Sequence, residues 1–106
     1  MDISKAIKEL NSKIKEKYSD FRGSYLFGSR ARGDYREDSD VDIVLIFDKE
    51  PDYDTENYIY EVSGELDYKY NIVTIPLPYT IKELQRNCVF HDEVVNKGIF
   101  YNAAWR

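Results

Sequence analysis

The run from Leu26 to Phe47 reads Leu-Phe-Gly-Ser-Arg-Ala-Arg-Gly-Asp-Tyr-Arg-Glu-Asp-Ser-Asp-Val-Asp-Ile-Val-Leu-Ile-Phe, and it sets the architecture expected of the whole chain. A short apolar run, expected to be a strand, ends in a Gly28-Ser29 turn, and a polar loop follows. The segment from Asp40 to Phe47 then reads as a second strand, and past Asp42 it is apolar on both faces. This pattern predicts a central strand that is covered by helices on both sides.

The Gly28-Ser29 turn has the features of a phosphate-binding site. The segment that follows, Arg30-Ala31-Arg32, could open a helix, and the first N–H groups of a helix lack intrahelical acceptors and favour an anion. Gly28 has no Cβ, so a phosphate can approach its backbone closely. Ser29 adds a hydroxyl donor, and Arg30 and Arg32 add permanently charged donors. We therefore predict that these four residues bind phosphate.

Asp40 and Asp42 stand at the entry of the second predicted strand. Side chains at positions i and i+2 of a strand point to the same face, so the two carboxylates share one pocket. Two such charges repel each other unless a cation lies between them. Mg²⁺ binds one or two carboxylates and completes its shell with water and substrate phosphates, and a two-metal site needs a carboxylate that bridges the ions. The pair is predicted to hold Mg²⁺, with two ions expected.

The order Gly28-Ser29, ten intervening residues and Asp40-Val41-Asp42 before an apolar strand resembles the nucleotidyltransferase superfamily that includes DNA polymerase β. The form Gly-Ser-Arg-Ala-Arg-Gly with Ser-Asp-Val-Asp is similar to its minimal nucleotidyltransferase branch, small proteins often paired with HEPN-domain partners in toxin–antitoxin modules. The resemblance implies transfer of a nucleoside monophosphate, AMP from ATP, to an acceptor hydroxyl. In that scheme the turn and an arginine hold the triphosphate, and the paired aspartates hold the metals.

Family members that transfer actively usually carry a third acid on a later strand, where it helps to hold the catalytic metal or accepts the acceptor's proton. Here that strand reads Tyr70-Asn71-Ile72-Val73-Thr74-Ile75. Asn71 is the position that aligns best and Thr74 is the second choice, while Asp67 and Glu65 fall on the preceding helix. Neither Asn71 nor Thr74 is a general base at neutral pH, but an amide oxygen can ligate a hard cation. The missing third acid therefore affects the expectation of catalysis more than the expectation of nucleotide binding.

The rest of the chain predicts an α+β fold, a small mixed β-sheet with helices packed on it in the order αβαβαβα. Periodicity, caps and breakers place the remaining elements. They are an amphipathic helix over 3–18 with Asp2 as N-cap, a strand from Gly23 or Ser24 to Phe27, a helix from Glu56 to Tyr68, a strand from Asn71 to Ile75 ended by Pro76 and Pro78, a helix from Thr80 to Arg86 with a Thr80–Glu83 capping box, a helix from Cys88 to Lys97 ended by Gly98, a short strand or tail over 99–101, and Trp105 at an exposed end.

Composition narrows the class of protein. With 106 residues, the chain is expected to form one domain, residues 1–106. No apolar run approaches the roughly 18 residues of a membrane helix, and no secretory signal is seen, so no membrane association and a cytoplasmic location are expected. The net charge of −5 argues against direct nucleic-acid binding. Calcium-loop and zinc patterns fail, because an EF-hand starting at Asp38 lacks its glycine and glutamate, and Cys88 and His91 alone cannot hold zinc.

Three functions remain open from the sequence. The leading hypothesis is a Mg²⁺-dependent transferase that adenylylates a HEPN-type partner protein. The second is a catalytically weak or inactive antitoxin of the same fold that acts by forming a complex. The third is a stand-alone transferase for a small molecule, which is disfavoured because no acceptor-binding domain is evident. The ten tyrosines are compatible with a homodimer or a heteromeric assembly.

Overall fold

The structure is a computed structural model that describes residues 3–103, so the predicted Asp2 cap and the position of Trp105 lie outside the described residues. The predicted α+β class is confirmed, with one more short helix and one more strand than the predicted order. The elements along the chain are α1 (Ile3–Lys17), β1 (Phe21–Phe27), α2 (Ser29–Arg32), β2 (Val41–Phe47), α3 (Tyr53–Tyr70), β3 (Thr74–Thr80), α4 (Ile81–Gln85), α5 (Cys88–His91), a π-helical turn (Asp92–Asn96) and β4 (Ile99–Asn102).

The four strands form one mixed sheet in the order β3-β2-β1-β4. Strand β1 is antiparallel to both β2 and β4, whereas β2 and β3 run parallel. As the continuous apolar run predicted, β2 is central and has a hydrophobic cluster on each face. The face of Val41, Ile43, Leu45 and Phe47 packs with residues of α1 and α3. The face of Val44 and Ile46 packs with Leu84 and Val94 from the C-terminal part of the chain.

The bounds predicted for the third strand, Asn71 to Ile75, are wrong. The two prolines that were expected to end that strand lie within it. Pro76 and Pro78 lie inside β3, which is an edge strand. The carbonyl of Val73 accepts the Val41 N–H at 2.8 Å, so odd-numbered residues direct their backbone groups toward β2. The two prolines therefore face the free edge, where no N–H donor is required. Two missing donors at that edge also disfavour pairing with a further strand.

Most other boundaries move by a few residues. Helix α3 begins earlier than predicted, because the Asp52 carboxylate caps it by accepting the Thr55 N–H at 2.9 Å. The capping box of Thr80 and Glu83 is confirmed. The single helix predicted from Cys88 to Lys97 is instead α5 followed by the π-helical turn, in which the Lys97 N–H bonds to the Asp92 carbonyl. Among the described residues, no helix is long and apolar enough to cross a membrane.

Candidate functional site

The Gly28-Ser29 turn, called the phosphate turn after its predicted role, lies beside the paired aspartates, where β1 ends and β2 begins. Phe27, the last residue of β1, is paired with Asp42 near the start of β2, so Gly28 follows directly beside that carboxylate. A Cβ on Gly28 would lie 2.6 Å from Asp42 Oδ2, closer than a side chain can approach. The backbone of Gly28 has φ 76° and ψ −153°, a region that is essentially restricted to glycine. A side chain at position 28 is therefore disfavoured for two reasons, backbone strain and the clash with the Asp42 carboxylate.

Helix α2 begins immediately after this glycine. The N–H groups of Ala31 and Arg32 both bond to the Gly28 carbonyl at 3.1 Å, which closes the first turn. The N–H groups of the two preceding residues, Ser29 and Arg30, have no intrahelical acceptor in such a turn. Gly33 ends the helix in a left-handed conformation, φ 86°. The turn thus opens a short helix, as the sequence predicted, and it lies next to the Asp42 side chain; its phosphate-binding role stays a prediction.

The aspartate pair is electrostatically unfavourable without a cation. Asp42 is half-buried and Asp40 is exposed. Burial raises the pKa of Asp42, the neighbouring Asp40 charge raises that pKa further, and Arg32 partly offsets the increase. Within residues 3–103 no group of three or more His, Cys, Asp or Glu side chains is arranged to hold a metal. The donor set fits Mg²⁺ that completes its shell with phosphate and water oxygens, as hard cations do in nucleotide sites.

The two arginines of α2 have different surroundings. The Arg30 guanidinium donates to the carbonyls of Glu37 and Ser39, at 3.1 and 3.0 Å, and lies 4.5 Å from the ring centre of Tyr35. These hydrogen bonds hold the loop that leads to Asp40 in place. The phosphate-binding role of Arg30 stays a prediction. Arg32 instead lies close enough to Asp42 to lower that residue's pKa.

Arg32 is held by two carboxylates. Its Nη1 donates to Glu93 at 3.0 Å and its Nε to Asp34 at 3.4 Å. Glu93 comes from the π-helical turn and is not among the site residues that the sequence predicted. No sequence signal could have found it, because the two partners are 61 residues apart and meet only through the folding of the C-terminal segment onto β1.

The register of β3 changes the expectation for the third acid. Asn71 is not on the strand, because it ends α3 in a left-handed conformation, φ 55°, with its N–H bonded to the Asp67 carbonyl. Thr74 points away from Asp42, since its hydroxyl donates to the Asp67 carboxylate at 2.8 Å. The β3 residue paired with Asp42 is Ile75. An apolar side chain thus occupies the position where a third acid would face the pair, and a ligand role for Asn71 stays a prediction.

A cleft of about 640 Å³ opens beside this site, between the loop after α2 and the turn after α3. Its walls include Arg30 and Tyr35 on one side and Asn71 and Val73 on the other. Ser39, which also lines it, directly precedes Asp40. The cleft therefore flanks the aspartate pair on the β3 side, whereas the phosphate turn lies on the β1 side.

A mixed sheet with a Gly-Ser turn against paired aspartates is the arrangement of a nucleotidyltransferase fold. The chain belongs to the nucleotidyltransferase domain family, whose model matches residues 7–101. It is 36% identical over 102 residues to a provisionally named protein adenylyltransferase of Methanocaldococcus jannaschii, covering 93% of this chain and 98% of that protein. The predicted resemblance to the minimal nucleotidyltransferase family is confirmed.

Solved structures show the same fold. A toxin–antitoxin structure with AMP-PNP has a TM-score of 0.61 at 19% identity, covering 93% of this chain and 73% of that chain. A structure of a tri-AMPylated HEPN toxin in complex with an MNT antitoxin, from Shewanella oneidensis, has a TM-score of 0.52 at 17% identity, with the same two coverages of 93% and 73%. At these identities the likeness establishes the architecture.

Proposed function

We propose that this chain is a Mg²⁺-dependent nucleotidyltransferase that transfers AMP from ATP to a hydroxyl on a HEPN-type partner protein and so acts as an antitoxin. Family membership and a relative named as a protein adenylyltransferase support the reaction type. Structural neighbours described as toxin–antitoxin complexes, one with AMP-PNP and one with an AMPylated HEPN toxin, support the nucleotide and the partner.

The observation that carries the proposal is the contact between the phosphate turn and the metal-binding pair. Gly28 leaves no room for a Cβ beside the Asp42 carboxylate. A phosphate held by the backbone after Gly28 would therefore lie next to the oxygens of Asp42, and both could bind the same Mg²⁺. The proposal requires the two groups to lie side by side, and in the structure Gly28 lies directly against Asp42.

The reaction needs positioning more than covalent participation by the protein. The acceptor oxygen attacks the α-phosphorus of ATP, a new O–P bond forms, the bond to the bridging oxygen breaks and pyrophosphate leaves. Asp40 and Asp42 would hold Mg²⁺, which would neutralise charge on the phosphate oxygens. Strand β3 (Thr74–Thr80) contains no acidic side chain, and we propose that the acceptor's proton is released to water.

The acceptor side of the site follows from the same layout. The phosphate turn and Arg32 flank Asp42 on the β1 side, and an in-line displacement places the incoming hydroxyl opposite the leaving pyrophosphate. The acceptor therefore approaches from the β3 side, where the cleft lined by Tyr35, Asn71 and Val73 opens. In this proposal, the partner protein presents its acceptor hydroxyl at that cleft.

The test is label transfer from ATP to a candidate HEPN-type partner protein. We expect the wild-type protein with Mg²⁺ to label its partner and Asp40→Asn to abolish labelling. Asp38→Asn is the matched control, because Asp38 is an exposed acid two residues away whose ion pair with Arg36 spans 3.9 Å. Equal labelling by Asp40→Asn and wild type would reject the metal site, and equal loss in both variants would show a nonspecific charge effect.

A specific observation favours one alternative, an antitoxin that acts by complex formation with weak or absent transfer. Ile75 occupies the β3 position beside Asp42, where no carboxylate can assist. In that case the Asp40→Asn, Asp42→Asn double variant should still bind its partner and still neutralise it. Loss of neutralisation with the complex intact would reject this alternative and favour the transferase.

A further inference from the structure

Glu93 is an acidic residue at the rim of the site with no role in the scheme above. It lies on the π-helical turn Asp92–Asn96, and its Oε2 accepts a hydrogen bond from Arg32 Nη1 at 3.0 Å. The Arg32 and Glu93 side chains are 48% and 30% exposed, so the pair is partly shielded from solvent.

The backbone that carries Glu93 is firmly anchored. The next residue, Val94, is fully buried in the hydrophobic cluster against β2. Gly98 closes the turn so tightly that a Cβ there would lie 2.2 Å from the Val94 carbonyl oxygen and 2.7 Å from that of Leu26. Glu93 is thus fixed relative to the end of β1, the strand that leads into the phosphate turn. A π-helical turn of this kind is frequently found at a functional site.

The contact leaves Arg32 able to bind a second anion. A guanidinium has five N–H donors, and the bonds to Glu93 and Asp34 use Nη1 and Nε. Lys97 Nζ lies 4.0 Å from Glu93 Oε1, so part of the carboxylate charge is balanced on its far side. Glu93 can therefore hold Arg32 while adding little repulsion toward a phosphate.

We propose that Glu93 is a positioning residue that orients Arg32 toward the triphosphate of the nucleotide. The inference rests on the proposed function, since it assigns Arg32 to the nucleotide that the phosphate turn binds. Arg32 stands at the last position of α2, whose first turn contacts the metal-binding pair through Gly28. A long, flexible side chain at that place gains affinity when it is held in the bound orientation beforehand.

The test is the equilibrium affinity for the non-hydrolysable analogue AMP-PNP with Mg²⁺, measured by titration calorimetry. Glu93→Gln should weaken binding about fivefold, the effect expected for losing one partly exposed ion pair. Glu93→Asp, which keeps the charge but shortens the side chain, should give a smaller loss in the same direction. Thermal unfolding of each variant shows whether the fold is kept.

Asp92→Asn is the matched control. Asp92 lies on the same turn and carries the same charge, but its contacts are to Asn96 and Lys97. The affinity of Asp92→Asn for AMP-PNP should stay within about twofold of wild type. In an Arg32→Ala background, Glu93→Gln should have no further effect, because Glu93 acts through that arginine.

Several results would overturn the inference. Unchanged or tighter AMP-PNP binding by Glu93→Gln would show that Glu93 is neutral or competes with phosphate for Arg32. An equal loss in the Arg32→Ala background would show that Glu93 acts by another route. If the wild-type chain binds no AMP-PNP, the proposed function fails and this inference fails with it. If the wild-type chain binds AMP-PNP and Glu93→Gln binds it equally well, only this inference fails.

Discussion

Gly28→Ala is the most informative substitution in this chain, because the structure predicts different costs for stability and for function. The added Cβ would lie 2.6 Å from Asp42 Oδ2. That oxygen is the end of a short side chain, so the clash is relieved when the Asp42 carboxylate rotates away. The residue must also keep φ 76° and ψ −153°, which is strained for alanine.

The expected magnitudes follow from these two terms. Backbone strain in this region costs about 1–3 kcal/mol, and rotation of one carboxylate adds about 1 kcal/mol. A domain with about 5–15 kcal/mol of stability remains folded after such a loss. The displaced Asp42 carboxylate, however, could not share a cation with Asp40, as the proposed metal site requires. We therefore expect Gly28→Ala to remain folded but to lose measurable binding of Mg²⁺ with AMP-PNP.

The assay combines urea denaturation with calorimetric titration of AMP-PNP and Mg²⁺. Gly33→Ala is the matched control, because Gly33 also has positive φ, 86°, but a Cβ there would meet nothing within 4 Å. It should lose about 1–2 kcal/mol from backbone strain and keep wild-type nucleotide affinity. If Gly28→Ala binds nucleotide as well as Gly33→Ala does, the turn and the aspartate do not form one site and the reasoning above is wrong.

Two further predictions concern charge and packing. The pKa of Asp42 is raised by burial and by Asp40, so its protonated form is favoured in the folded chain and its contribution to stability is lost as pH rises through the folded pKa. Asp42→Asn should therefore be more stable than wild type at neutral pH, with the difference shrinking toward about pH 4 in urea unfolding; an unchanged difference would contradict this. Asn11 is buried. Its side-chain oxygen accepts a hydrogen bond from the Ser24 hydroxyl, and its side-chain nitrogen donates one to the Tyr101 carbonyl at 2.9 Å. Asn11→Ala should cost about 2–3 kcal/mol and speed amide exchange in β4, whereas unchanged exchange there would show that Asn11 does not hold that strand.

Local signals in the sequence predicted the elements whose form depends on neighbouring residues. The Thr80–Glu83 capping box is a contact between residues three apart, and it forms as predicted. The continuous apolar run after Asp42 predicted a central strand, and β2 has that position. In both cases the residues that determine the structure are close together in the chain.

Predictions that depended on a longer range were less accurate. Pro76 and Pro78 were expected to break the strand, yet they lie within β3. This is possible because β3 is an edge strand, and the backbone groups of its even-numbered residues point away from β2. The sequence alone does not show which strand lies at an edge. The same error shifted the predicted strand toward Asn71, which in the structure is the left-handed residue that ends α3.

For the candidate site, the order of Gly28, Ser29, Asp40 and Asp42 predicts a phosphate-binding turn and a metal-binding pair, and the binding roles of these residues stay predictions. Strand periodicity places the two aspartates on one face, and the glycine marks a close approach, so both inferences follow from backbone geometry along a short stretch. The pairing of Phe27 with Asp42 brings these groups into contact in the folded chain.

Three features of the site depend on packing between distant segments. Ile75 lies beside Asp42 because of the register between β2 and β3, and a shift of one residue would have turned another side chain to that face. Arg30 braces the loop before Asp40, whereas Arg32 reaches the π-helical turn. Glu93 meets Arg32 because burial of Val94 draws the C-terminal segment onto the sheet. Register and burial are properties of the assembled core, so these contacts form only when the whole chain has folded.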